Sequence, residues 1–89
     1  MVEKEIQVVN KLGLHARAAA KLVSLASSFK STIDLGREGR TVNGKSIMGV
    51  MMLAASKGTQ LKIKVEGSDE TEALRQIEEL FAGKFGETE

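Results

Sequence analysis

The chain contains a single histidine, His15, within Asn10-Lys11-Leu12-Gly13-Leu14-His15-Ala16-Arg17. It stands directly before a run with helical periodicity, and an arginine follows two residues later. A helix start presents backbone N–H groups that have no partner inside the helix. Together with the macrodipole they attract anions, phosphate above all. An imidazole set just outside such an end can attack phosphorus through a neutral ring nitrogen and form a phosphoramidate. The positive helix end and the Arg17 guanidinium both disfavour the charged ring, which keeps the nucleophile available. Once the phosphoryl group is attached, the N–H groups of Ala16 and Arg17 can hold its oxygens. The Arg17 fork adds charge-assisted bonds that a lysine would make only as a point charge. On residue type alone the same histidine could instead be a surface or capping residue.

A second constellation lies about thirty residues on. Ser46 precedes Ile47-Met48-Gly49-Val50-Met51-Met52-Leu53-Ala54-Ala55, a short apolar helix that Gly58 can end. Ser46 is either only an N-cap or a modification site, since an added phosphate of about −1.5 to −2 charge would face the positive helix end. The segment is apolar nearly all round. One side must cover the sheet, and the remainder of Ile47, Met48, Met51 and Met52 forms a small exposed patch of the adaptable kind that methionine supplies.

The elements that must position these residues follow from periodicity. Val2, Ile6 and Val8 share one parity and Glu3, Glu5 and Gln7 the other, so the chain opens with a half-buried strand that ends near Asn10. From Ala16 to about Ser28 the period is helical. Leu22, Leu25 and Phe29 lie on one line with Ala19, Val23 and Ala26 beside it, and Arg17, Lys21, Ser24 and Ser28 form the polar stripe. Strands over 32–35 and 40–43 are joined through Gly36-Arg37-Glu38-Gly39, whose glycines can take the positive φ of a hairpin. Leu61, Ile63 and Val65 alternate with Gln60, Lys62, Lys64 and Glu66 in a further strand. Asp69 and Glu72 suggest a capping box for a last amphipathic helix with Ala73, Leu74, Ile77, Leu80 and Phe81 inward, stopping near Gly83. Glu70, Glu72, Glu78 and Glu79 read as solvation and helix-start charge. The order β-α-β-β-α-β-α with one-sided strands predicts an α+β fold: an open-faced two-layer sandwich, a four-stranded antiparallel sheet with three helices on one face. Residues 1–89 form a single domain.

Composition removes other chemistries. There is no cysteine, so disulfides and thiolate sites are excluded, and one histidine cannot assemble a zinc set within the chain. No metal and no cofactor is expected. Thirteen basic residues against twelve acidic ones give no global attraction to nucleic acid, and three Phe without Tyr or Trp make no base-stacking platform. No stretch is long and apolar enough to insert in a membrane. The expectation is a soluble, cytoplasmic monomer.

Gly13-Leu14-His15-Ala16-Arg17 after a strand, with Asn43-Gly44-Lys45-Ser46-Ile47-Met48-Gly49-Val50-Met51 downstream, resembles HPr, the histidine-containing phosphocarrier family of the phosphoenolpyruvate-dependent sugar phosphotransferase system. The likeness spans nearly the whole chain. It implies that His15 accepts a phosphoryl group on Nδ1 from phosphorylated enzyme I and passes it to the A domains of enzymes II, with Arg17 assisting both transfers. It further implies that Ser46 is the regulatory serine phosphorylated, in bacteria that have one, by an ATP-dependent HPr kinase/phosphorylase. Lys21, Ser24, Ile47, Met48 and Met51 match the docking surface for partner proteins. Such a protein is a phosphoryl carrier, not an autonomous enzyme. The alternative is a chiefly regulatory protein in carbon catabolite control or a nitrogen-type phosphotransferase chain, binding a transcription factor or metabolic enzyme. One departure is Ala18, where the family usually has proline. Alanine gives up the stiffening of the first turn and adds an N–H donor near the phosphate site.

Overall fold

The computed structural model describes residues 1–89. Its elements are β1 (Val2–Gln7), α1 (Ala16–Ser27), β2 (Thr32–Arg37), β3 (Arg40–Asn43), α2 (Ile47–Met52), β4 (Gln60–Glu66) and α3 (Glu70–Ala82), followed by a short 3₁₀ turn, Lys84–Gly86. The four strands form one sheet in the order β1-β4-β2-β3, with every pairing antiparallel. The alternation read in β4 decides the layering. Leu61, Ile63 and Val65 are fully covered while Gln60, Lys62, Lys64 and Glu66 are exposed, so one face of the sheet packs under the helices and the other meets solvent. The helices supply Ala18, Ala19, Leu22 and Ala26 from α1, Val50 from α2, and Ala73, Ile77 and Phe81 from α3. Each fully buried Leu, Ile or Phe contributes about 1.5–3 kcal/mol relative to exposure. Small alanines along α1 let it lie close to the sheet.

Lys4 breaks the apolar parity of β1 but does not break the strand. β1 is an edge, and Lys4 reaches the α3 carboxylate of Glu78 at 2.6 Å. An inward-leaning charge at an edge also discourages pairing with another chain.

Several boundaries differ from expectation. β1 ends at Gln7 instead of near Asn10, because Val8 already bonds to the loop before β4: its N–H donates to Thr59 O (2.9 Å) and its carbonyl accepts from Gly58 N–H (2.7 Å). β2 runs on through Gly36 to Arg37, so the hairpin turn is only Glu38-Gly39, with φ of +49° and +82°. That is the two-residue turn whose twist matches the flanking strands, and Glu38 rather than Gly36 supplies its first positive φ.

Helix α2 stops at Met52 instead of reaching Ala55. Ala54 turns left-handed at φ +50°, and two strand arginines take the helix-end carbonyls: Arg37 donates to Leu53 O (2.8 Å) and Ala54 O (2.9 Å), and Arg40 to Met52 O (2.8 Å). Cations at a helix C-terminus satisfy orphan acceptors and complement the dipole together. The expected capping box at α3 does not form either. Asp69 turns its carboxylate to the α1–β2 loop, accepting from Lys30 N–H (2.8 Å), Ser31 N–H (3.0 Å) and the Ser31 hydroxyl (2.5 Å). Those bonds, led by the Ser31 hydroxyl, hold its carboxyl below the usual range. Glu72 pairs along its own helix with Arg75 and Gln76, and the Arg75 bond foremost brings its carboxyl down to about 2. Both carboxylates are therefore engaged away from the backbone that a box would cap.

Candidate functional site

His15 is the N-cap of α1, with extended backbone (φ −73°, ψ 178°) and no bond from its ring to the helix. Its carbonyl accepts the first helical bond, from Ala19 N–H at 2.8 Å. The N–H groups of Ala16, Arg17 and Ala18 precede that bond and project from the positive end of the helix. Ala18, in the first turn, is fully buried.

The loop that delivers the ring is tightly held. Gly13 has φ +67°, and a Cβ there would stand 2.4 Å from Ala55 O. The same carbonyl accepts Leu14 N–H at 2.9 Å, which clips the His15 loop to the segment between α2 and β4. Asn10, fully buried, donates its amide to Gly13 O at 2.8 Å. Gly13 and Asn10 are thus backbone-shaping residues for the histidine.

Sequence reasoning missed the carboxylate beside the ring. Glu87 Oε2 lies 2.5 Å from His15 Nε2, across 72 residues of chain, while Glu87 Oε1 accepts from Asn10 Nδ2 at 3.0 Å. The His15 bond first and the Asn10 bond second hold the Glu87 carboxyl below its usual range. Beside the positive helix end and Arg17, which the sequence places next to the ring, a negative group therefore occupies its Nε2 side. A signal existed in Phe85-Gly86, an apolar residue and a glycine just past the helix stop, which marks a returning chain. Phe85 is buried against Phe81, ring centroids 4.9 Å apart, and Lys21 Nζ donates to Phe85 O at 2.6 Å.

His15, Ala16 and Arg17 line one shallow depression with Lys11, Leu12 and Glu87. Arg17 is exposed and its guanidinium makes no hydrogen bond within the chain, so it is available to a ligand. Lys21 and Ser24 are exposed on the next turns of α1. Ser46 lies outside the depression, at the start of α2, where its hydroxyl accepts Gly49 N–H at 3.1 Å. Ile47, Met48, Met51 and Met52 are all exposed, from 41% to 73%, and only Val50 of this helix is buried. Since α1 and α2 pack side by side, the basic stripe and the methionine patch belong to neighbouring elements. No three His, Asp or Glu side chains converge to hold a metal ion.

A lone imidazole at a helix N-terminus, with free N–H donors and an unengaged arginine, defines a small domain able to bear a phosphoryl group and give it up again. A family model described as "PTS HPr component phosphorylation site" matches residues 2–83. The phosphocarrier protein HPr of Xylella fastidiosa (strain Temecula1) is 54% identical over 87 residues, covering 98% of each chain. Among solved structures, HPr-C-His from Thermoanaerobacter tengcongensis superposes with a TM-score of 0.97 at 46% identity over the full length of both chains. An HPr dimer from the same organism gives 0.79 at 47% identity, covering 98% of this chain and 100% of that one. The chain belongs to the HPr family, the phosphocarriers of the phosphotransferase system.

Proposed function

We propose that His15 is the residue that carries the phosphoryl group, accepting it on Nδ1 from phosphorylated enzyme I and passing it to the A domains of enzymes II during sugar uptake. The observation that carries this reading is the placement of His15 at the head of α1, beside three unpartnered N–H groups and a free Arg17. The three oxygens of a dianionic phosphoryl group call for such donors, and the α1 dipole adds to them. Arg17 neutralises the phosphoryl group during transfer. Lys21, Ser24, Ile47, Met48 and Met51 form the docking face, its basic half steering acidic partners into fast, salt-sensitive encounters. Ser46 is a regulatory phosphorylation site for a serine kinase, its product placed beside that face. The protein works in the cytoplasm as a monomer, which sedimentation at working concentration tests; no helix is long and apolar enough to cross a membrane.

Incubation with phosphoenolpyruvate and enzyme I is expected to give one acid-labile, base-stable phosphoryl group per chain. Its persistence in His15→Ala would overturn the assignment.

A further inference from the structure

We propose that Glu87 is a positioning residue for phosphoryl transfer: its carboxylate fixes His15 as the Nε2–H tautomer, leaving the Nδ1 lone pair free, and keeps that proton on the ring after Nδ1 is phosphorylated. The proposal rests on the reading of His15 as the carrier residue.

An ionised carboxylate only accepts hydrogen bonds. With Glu87 Oε2 at 2.5 Å from Nε2, the nitrogen that bears the proton is Nε2, and in the neutral ring the basic nitrogen is then Nδ1. The carboxylate is itself held from both sides. Its other oxygen accepts from Asn10 Nδ2, whose second bond goes to Gly13 O. Both partners of that amide nitrogen are pure acceptors, so a flipped Asn10 would oppose oxygen to oxygen, and the amide has one tenable orientation. The main chain under Glu87 is equally specified. Lys84, Phe85 and Gly86 all have positive φ (+56°, +56°, +80°), uncommon for residues with a Cβ, and burial of Phe85 together with the Lys21 bond keeps them there. The bonds from His15 and Asn10 that lower the Glu87 carboxyl also keep it ionised at neutral pH.

The role in transfer follows. On acceptance, the Nδ1 lone pair attacks the phosphorus of the donor, the bond from phosphorus to the donor's leaving atom breaks, and its electron pair stays with the donor. His15 then bears phosphate on Nδ1 and a proton on Nε2, a cationic ring lying against an anion. On donation, the N–P electron pair returns to Nδ1. Because Nε2 still holds its proton, the leaving group is a neutral imidazole and not an imidazolate, and the carboxylate acts by keeping the phosphorylated ring in this protonated, transferable form.

The imidazole ¹⁵N spectrum of the unphosphorylated protein at pH 8 is expected to show one tautomer, Nε2–H, in the wild-type chain and a mixture in Glu87→Gln, whose amide can donate as well as accept. After loading through phosphoenolpyruvate and enzyme I, Glu87→Gln is expected to pass its phosphoryl group to an enzyme II A domain more slowly by on the order of tenfold, the low end of the loss seen when the outer partner of a metal-bound histidine is removed. Glu87→Asp should recover part of both readouts, and Glu79→Gln, with the same change in net charge, should alter neither. An unchanged tautomer in Glu87→Gln, or a changed tautomer with unchanged transfer, overturns the proposal. Failure of the wild-type chain to take up phosphate overturns the carrier reading and with it the transfer role; the tautomer measurement needs no phosphate and tells the two failures apart.

Discussion

Replacing Gly13 by alanine separates two costs that the structure places on one residue. The first is conformational: at φ +67° a residue with a Cβ costs about 1–2 kcal/mol, offset by about 0.4–1 kcal/mol because alanine restricts the unfolded chain. The second is steric. The new Cβ would stand 2.4 Å from Ala55 O and 2.9 Å from Ser56 Cα, both main-chain atoms that cannot rotate away. Relief requires the His15 loop to move off the α2–β4 segment, straining packing by about 1–3 kcal/mol and weakening the Leu14–Ala55 bond, about 1 kcal/mol net. The total is about 2–6 kcal/mol. Gly39→Ala is the internal standard, since φ is +82° there and nothing lies within 4 Å of the added carbon. It should lose only about 1 kcal/mol. Urea unfolding with a shared slope measures both, and the steric part, about 2–4 kcal/mol at about 4–8 °C per kcal/mol, should separate the melting temperatures by about 8–32 °C. Phosphate uptake at His15 under folding conditions should fall in Gly13→Ala and stay at the wild-type level in Gly39→Ala. Equal destabilisation in the two variants would refute the steric argument and leave only the glycine φ preference.

Ser46→Ala should lose about 1 kcal/mol through the missing N-cap bond, measured by the same unfolding curves, whereas Ser46→Asp should retain the cap, leave the fold intact and slow phosphoryl acceptance. Arg37→Ala should cost about 1–2 kcal/mol by stripping two helix-end carbonyls of their donor, with partial recovery in Arg37→Lys. The Asp69 carboxyl titrates lower in the folded chain than in the unfolded one, so its stabilisation is present above pH about 4 and disappears as pH falls through the lower, folded value. Unfolding midpoints taken from pH 6 to pH 2 should therefore drop less steeply in Asp69→Asn than in the wild-type chain; parallel curves would remove the Ser31–Asp69 linkage.

The fold was legible where one period dominated. β4 alternates without exception, and α1 and α3 present clear apolar stripes, so these elements and the single covered face of the sheet follow from local pattern. Boundaries set by distant partners were not. Nothing near Leu53 in sequence announces that Arg37 and Arg40 will close its helix, and nothing at Asp69 shows that Lys30 and Ser31 will draw its carboxylate away from α3. The site divides in the same way. His15, Arg17 and Ser46 can be proposed from the sequence because an imidazole, a cation and a hydroxyl stand next to helix starts. Glu87 is one acidic residue among twelve Asp and Glu, and its meaning comes only from a left-handed turn that brings it back over the histidine.

The strand order has a consequence in time. Of the three pairings, only β2–β3 joins neighbours in sequence; β1 finds its partner in β4, near the far side of the chain. Long-range closure is the slow part of folding. The His15 loop hangs from β1, is clipped to Ala55 just before β4, and has its ring secured by residue 87. During vectorial synthesis the His15 loop therefore reaches its native setting only after β4 and residue 87 have emerged, whereas the pairing of β2 with β3 needs no later residue. In refolding followed by NMR, the ring signals of His15 should reach their native positions after the backbone amides of β2 and β3.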